Sequence, residues 1–98
     1  MRRDEAIHRL RAAEPALRAR GVRHLVLFGS VARDASRADS DVDVMIDVDV
    51  STKFSLLDRA AVVNALTDTL GCAVDVVRRD LLPAGALGRI LPDSVDVF

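Results

Sequence analysis

The sequence predicts a small α/β domain in which helices flank a small central sheet of mixed strands. Residues 22–28 are rich in β-formers and end in a continuous apolar run, as buried strands do. Residues 41–50 alternate strictly between acidic or Met positions and Val or Ile, which is the period of a strand with two different faces. Residues 53–70 carry apolar side chains at helical spacing. We therefore expect one domain over residues 1–98.

The N-terminal third predicts a helical region followed by a strand. Residues 4–20 have an amphipathic helical pattern that Pro15 interrupts, so a kink or two short helices are expected. The strand at residues 22–28 follows. Gly29 and Ser30 end this strand, and a short helix can begin directly after them.

The remaining elements follow the same alternation of strand and helix. After the strand at residues 41–50, Ser51 or Thr52 can cap a helix over residues 53–70. The buried side of this helix is predicted to comprise Leu56, Ala60, Val63 and Leu70, with Leu57 and Leu66 beside them. A third strand is predicted at the segment 72–77, a short helix between Pro83 and Pro92, and a short last strand at 95–98. The predicted order is α β α β α β α β.

Charge and cysteine content exclude several classes of protein. Fourteen Lys and Arg against fifteen Asp and Glu give a net charge of −1, which provides no basic surface for long nucleic acids. Cys72 is the single cysteine, so no internal disulfide is possible, and a reducing compartment is expected. No apolar stretch approaches the roughly 20 residues that span a bilayer. We expect a cytoplasmic protein without membrane contact.

Gly29 and Ser30 form the first candidate binding site. A glycine after a buried strand permits a tight turn and lets the backbone approach a ligand, and the start of the following helix favours an anion such as phosphate. Ser30 adds a hydroxyl donor. Taken alone, the pair is more typical of an ordinary turn.

Asp41 and Asp43 form the second candidate site. Residues i and i+2 of a strand point to the same side, so the two carboxylates lie close together. Such a pair suits Mg²⁺, which completes its shell with water and phosphate oxygens. The alternative is a solvated strand face, because Asp47 and Asp49 continue the same acidic pattern.

Asp75 is harder to explain as a surface residue. It interrupts the otherwise apolar third strand, and a lone charge among valines is costly unless it is paired or bound to a metal. If the third strand lies beside the second, Asp75 joins Asp41 and Asp43. Three such carboxylates beside a phosphate site would form a two-metal centre for phosphoryl transfer. The alternative is that Asp75 lies on an exposed strand face.

The spacing Gly-Ser, ten residues, Asp-x-Asp, within the segment LFGSVARDASRADSDVDVMI, resembles the minimal nucleotidyltransferase family of the DNA polymerase β-like superfamily. The likeness covers nearly the whole chain and includes the Val-Asp-Val around Asp75. It implies the polymerase β-like fold and nucleotidyl transfer. Many members of this family are antitoxins encoded beside a HEPN-domain toxin, so the resemblance implies such a toxin as partner.

The resemblance also implies a role for each candidate residue. Gly29 and Ser30 would hold the triphosphate of ATP. Asp41 and Asp43 would bind Mg²⁺, and Asp75 would complete a second metal site and help to deprotonate the acceptor hydroxyl.

Three further charged positions could affect nucleotide binding. Arg33 could contact phosphate or pair with an aspartate, with a solvated helix position as the alternative. Lys53 is a weaker candidate. Asp34 stands where the family often has glycine, and it could disturb triphosphate binding or point to solvent.

The implied reaction is AMP transfer from ATP to a tyrosine hydroxyl of the toxin, within a complex of the two proteins. The main alternative is an antitoxin that neutralises the toxin by binding and masking it without catalysis. A small-molecule nucleotidyltransferase and a regulatory nucleotide-binding domain without turnover are two further alternatives.

Overall fold

The computed structural model describes residues 1–35 and 41–98. Residues 36–40, which lie between the predicted short helix after Ser30 and the second strand, are outside the described residues. Along the described chain the elements are α1 (Arg3–Ala12), α2 (Glu14–Ala19), β1 (Val22–Phe28), α3 (Gly29–Ala32), β2 (Val42–Val48), α4 (Leu56–Leu70), β3 (Val74–Arg78), α5 (Ala86–Ile90) and β4 (Val95–Asp96). Two short 3₁₀ turns, Arg79–Leu81 and Leu91–Asp93, flank α5.

The four strands form one mixed sheet in the order β3-β2-β1-β4. Strand β1 is antiparallel to both β2 and β4, whereas β2 and β3 are parallel. The predicted α/β class with a small mixed sheet is thereby confirmed. Among the described residues, no helix is long and apolar enough to cross a membrane.

The helices α1, α2 and α4 cover one face of this sheet. Their buried side chains interdigitate with those of β1 and β2 in one apolar cluster that includes Leu10, Leu17, Leu25, Leu27, Val44, Ile46 and Leu66. Three further buried side chains, Val26, Met45 and Ala86, lie outside that cluster. Val26 and Met45 pair across β1 and β2, so they mark the second face of the sheet.

Pro15 divides the N-terminal helical region into α1 and α2, as the sequence predicts. It lies in the first turn of α2, where its missing N–H has no helical partner to lose.

Strand β2 is shorter than the alternating pattern predicts. Asp41, Asp49 and Val50 lie outside it, and Val50 is 87% exposed. The Asp49 carboxylate accepts hydrogen bonds from the backbone N–H and the hydroxyl of Ser51, at 2.9 and 2.7 Å. This local turn ends the strand although the alternation continues.

Helix α4 begins three residues later than predicted, and its cap is Ser55. The Ser55 hydroxyl accepts a hydrogen bond from the Asp58 N–H at 3.2 Å, and the Asp58 carboxylate accepts one from the Ser55 N–H at 2.9 Å. This reciprocal capping box stabilises the start of the helix. The predicted caps were wrong because Ser51 and Thr52 are held in the turn around Asp49.

The buried side of α4 agrees with the prediction only in part. Leu70 faces the core as predicted, together with Val62 and Leu66, and Val63 is partly buried. Leu56 is 84% exposed and Ala60 is exposed, so their assignment to the buried side was wrong. At the end of the chain, β3 is displaced by two residues at its start, and β4 comprises two residues rather than four.

Candidate active site

The register of β2 and β3 brings two of the predicted carboxylates together. Asp43 is paired with Asp75 in this parallel ladder, so both side chains leave the sheet on the same face. Their neighbours Val42, Val44 and Val76 point to the opposite face and belong to the apolar core. Asp75 lies on β3 at the edge of the sheet and is exposed, so a second molecule can reach it.

Asp41 directly precedes β2 and is exposed, two residues before the partly buried Asp43. Burial raises the pKa of Asp43, and the negative charges of Asp75 and then Asp41 raise it further. Arg33 acts in the opposite direction and lowers it. Three carboxylates therefore interact at one end of β2 and β3, and a bound cation would relieve their repulsion.

Gly29 allows this arrangement because it lies directly against Asp43. The preceding residue, Phe28, is paired with Asp43 across β1 and β2. Gly29 has φ +75°, and a Cβ at this position would overlap the Asp43 carboxylate, with the Asp43 Cγ only 3.0 Å away. Glycine is thus required both for the left-handed backbone and for the close approach of the carboxylate.

Ser30 and Arg33 follow Gly29 on or next to α3. Ser30 lies in α3 directly after Gly29 and is partly buried. Arg33 is exposed and close enough to Asp43 to affect its pKa. The structure therefore brings the predicted phosphate-binding residues to the same end of the sheet as the carboxylates.

The Asp34 side chain is directed to the start of α1. Its carboxylate accepts a hydrogen bond at 3.0 Å from the N–H of Arg3, the first residue of α1, and lies 3.9 Å from the Arg2 guanidinium. Asp34 adopts φ +56°, the left-handed conformation typical of the glycine that the family often has here. Lys53 lies in a surface pocket with Gly21 and Asp49, at the opposite end of β1 and β2 from Asp43.

The described residues contain no group of three His, Cys, Asp or Glu side chains already placed to hold a metal ion by themselves. The donor set nevertheless fits Mg²⁺, which binds through one or two carboxylates and takes its other ligands from water and phosphate. Asp43, whose pKa is raised by burial and by Asp75 and Asp41, would provide a hard oxygen ligand in a site of excess negative charge.

The family of nucleotidyltransferase domains matches residues 10–96, which is nearly the whole chain. The chain belongs to this family. The resemblance noted in the Gly-Ser and Asp-x-Asp spacing is thereby confirmed, and nucleotidyltransferase activity follows from it.

Known proteins similar to this nucleotidyltransferase include a protein adenylyltransferase, MntA of Thermococcus cleftensis. It is 36% identical over 89 residues, which cover 90% of this chain and 88% of the relative. A solved structure of a candidate minimal nucleotidyltransferase has a TM-score of 0.82 and 29% identity, covering 97% of this chain and 95% of its own. A complex of an AMPylated Shewanella oneidensis HEPN toxin with its MNT antitoxin has a TM-score of 0.63 and 15% identity, covering 90% and 68%. At that identity, the likeness concerns the fold.

Sequence reasoning missed one surface beside the nucleotidyltransferase site. An apolar groove of about 450 Å³ runs along β3, lined mainly by Phe54, Leu56, Val76, Val77, Leu81 and Leu82. It was missed because the helical pattern assigned Leu56 to the core. The adjacent leucines 56 and 57 were the available signal, since neighbouring helical positions point about 100° apart and one of the two commonly lies at the rim of the buried face.

Proposed function

We propose that this nucleotidyltransferase transfers AMP from ATP to a tyrosine hydroxyl of a HEPN toxin encoded nearby, and so acts as an antitoxin in the cytoplasm. The observation that carries the proposal is the in-register pair Asp43 and Asp75, with Gly29 against the Asp43 carboxylate. The adenylyltransferase MntA and the antitoxin bound to an AMPylated toxin support the choice of nucleotide and acceptor.

In this proposal, Gly29 and Ser30 hold the triphosphate of ATP through backbone N–H groups and the Ser30 hydroxyl. Arg33, which is exposed beside the carboxylates, binds a phosphate oxygen. These contacts orient the α-phosphate towards the exposed edge at Asp75.

Asp41, Asp43 and Asp75 hold Mg²⁺, with two ions as the proposed number. When bound, the metal neutralises charge on the phosphate oxygens and polarises the α-phosphorus. Asp41 and Asp43 lie next to the triphosphate contacts, whereas Asp75 lies on the edge strand where the acceptor arrives.

The acceptor tyrosine is oriented with its hydroxyl towards Asp75, which accepts the phenolic proton. The tyrosine oxygen then forms a new bond to the α-phosphorus of ATP. The bond between the α-phosphorus and the bridging oxygen breaks, and pyrophosphate leaves with that oxygen.

The test is the intact mass of the purified toxin after incubation with this protein, ATP and Mg²⁺. We expect mass gains in steps of one AMP, and a double variant with Asp41→Asn and Asp43→Asn should abolish them. Asp47→Asn is the matched control, because Asp47 lies on the same face of β2 about 13 Å further along the strand. It should leave the transfer intact.

Inhibition of the toxin without any mass change, retained by the double variant, would instead establish masking by binding alone. Transfer to small acceptors without a protein partner would establish a small-molecule enzyme, and ATP binding without pyrophosphate release would establish a regulatory domain.

A further inference from the structure

We propose that the apolar groove along β3, defined above by its lining residues, binds the acceptor protein through apolar side chains next to its acceptor hydroxyl. This inference rests on the proposed function and adds the surface by which the protein substrate is recognised. The bound protein must present one or more aliphatic or aromatic side chains with a carboxylate beside them.

The groove is unusual for the surface of so small a protein. Leu56 and Leu81 are 84% and 69% exposed, and both line it. Clustered exposed apolar side chains of this kind are typical of protein interaction sites, whereas single ones are common anywhere. Covering these two leucines would remove apolar surface from water, which favours binding.

The groove is continuous with the candidate active site. Val77 lines it and lies two residues after Asp75 on the same face of β3, a separation of about 7 Å along a strand. A folded protein that presents a hydroxyl to Asp75 therefore also covers the near end of the groove. At about 7 Å from Asp75, the near end of the groove would be filled by partner side chains that lie directly beside the acceptor residue.

The edge of β3 is not free for the addition of a further strand. The Arg59 guanidinium extends from α4 and donates a hydrogen bond to the backbone carbonyl of Val76 at 2.8 Å. Val76 is the central residue of β3, so strand pairing along this edge would have to break that contact. This disfavours a second copy of the chain, joined through its β3 edge, and favours an occupant that inserts side chains.

The charge at the groove indicates an acidic group on the partner. Arg78 is already engaged, because its guanidinium bonds the Asp80 carboxylate at 2.7 Å and lies over the Phe54 ring. Arg59 also lines the groove, and no ion pair to it is found among the described residues. Its positive charge is therefore available to a carboxylate of the bound protein.

The experiment compares wild type with a double variant, Leu56→Asp and Leu81→Asp, using the purified HEPN toxin as the probe. Calorimetry without ATP gives the Kd for the toxin, and AMP transfer gives kcat, the KM for toxin and the KM for ATP. We expect the Kd and the KM for toxin to rise about tenfold or more. We expect kcat and the KM for ATP to change less than about twofold, because Asp41, Asp43 and Asp75 are not among the residues that line the groove.

Leu57→Asp is the matched control. Leu57 is 81% exposed on the same helix but does not line the groove, so this variant adds one negative charge at the position next to Leu56. It should retain the wild-type Kd and KM. Because these leucines are exposed, all variants should keep the wild-type thermal unfolding midpoint to within a few degrees.

An unchanged Kd and KM in the double variant, or an equal loss in Leu57→Asp, would overturn the proposal. So would a wild-type dimer that the double variant converts to monomer without loss of toxin affinity, because a second copy would then occupy the groove. Toxin binding that depends on the groove but yields no AMP transfer would contradict the proposed function alone.

Discussion

Replacing Gly29 should disturb both the geometry of the site and the backbone conformation. In Gly29→Ala, the new Cβ meets the Asp43 carboxylate and φ +75° becomes costly. We expect a loss of AMP transfer of roughly 100-fold or more, since a displacement of about 1 Å at a reacting group can have that effect. The left-handed backbone should add a loss of about 1–2 kcal/mol in the free energy of unfolding.

Gly71→Ala is the control for that prediction. Gly71 ends α4 with φ +71°, yet a Cβ there would meet nothing within 4 Å. The variant should lose a similar free energy of unfolding and keep its transfer rate. Equal loss of activity in both variants would show that instability, rather than the contact with Asp43, explains the effect.

Asp43 gives a prediction for the dependence of stability on pH. Its folded-state pKa is raised above the ordinary 3.8 by burial and by Asp75 and Asp41, so the folded protein binds the proton more tightly than the unfolded chain. The ionised carboxylate therefore opposes folding at neutral pH, and this penalty disappears as pH falls through the raised pKa towards 3.8. In metal-free buffer, Asp43→Asn should raise the unfolding midpoint at pH 7 and not below pH 3.8.

Asp58→Asn should change the midpoint of urea unfolding in the opposite direction at pH 7. The backbone N–H and hydroxyl of Ser55 lower the pKa of Asp58 below 3.8, so its ionised form stabilises the folded state above that value. The variant should lose stability at pH 7, with the difference vanishing as pH falls through the lowered pKa. A lower midpoint for Asp43→Asn at pH 7 would contradict the electrostatic account of the site.

Residue types and spacing predicted the candidate carboxylates because a period of two places Asp41 and Asp43 on one side of a strand. The partner of Asp34 could not be predicted in the same way. Its hydrogen bond joins positions 31 residues apart, and no local pattern encodes a contact between the end of α3 and the start of α1.

At the scale of elements, Asp34 acts as a cap supplied from outside helix α1. Asp34→Ala removes the acceptor for the Arg3 N–H and keeps a Cβ in the left-handed region, so we expect a loss of about 1–2 kcal/mol in the free energy of unfolding. Asp34→Gly loses the same hydrogen bond but removes the backbone strain at this position. Its free energy of unfolding should therefore be about 1 kcal/mol higher than that of Asp34→Ala. Urea unfolding measures both.

The same two variants test whether Asp34 affects nucleotide binding. Its carboxylate is directed to α1, so the KM for ATP should stay within about twofold of wild type in both. A marked fall in the KM for ATP in Asp34→Gly would show that the acid repels the triphosphate after all.

The sequence predicted which elements exist better than where they end. The helical and strand periods are set by many side chains, whereas the ends of β2 and α4 depend on single hydrogen bonds of Asp49 and Ser55. Several Ser, Thr and Asp side chains compete for these positions between residues 49 and 58, and only the folded backbone decides between them.

At the scale of the whole molecule, ligand binding should stabilise the fold by mass action. ATP with Mg²⁺ at 100 times its Kd should add about 2.7 kcal/mol to the free energy of unfolding. The double variant with Asp41→Asn and Asp43→Asn should lose most of this gain, while Asp47→Asn keeps it. Calorimetry with and without EDTA provides the measurement, and an equal gain in all three proteins would argue against carboxylate-bound metal.

The α/β class was predictable from the alternation of elements, but the strand order was not. Rules for connections permit several positions for β3 and β4 relative to β1 and β2. Helix α4 connects β2 to its parallel neighbour β3 and buries Val62, Leu66 and Leu70 in the core. Such packing depends on contacts distant in sequence.

The parallel pairing of β2 with β3 has a consequence for folding fidelity. If β3 slipped by one residue, the Asp75 carboxylate would turn towards the helices, and Val74 and Val76 would turn to water. Burying that carboxylate without a partner would cost several kcal/mol, a large share of the stability of so small a protein. Misaligned molecules should therefore unfold rather than accumulate, and the population that stays folded is the one in which Asp43 and Asp75 share a face of the sheet.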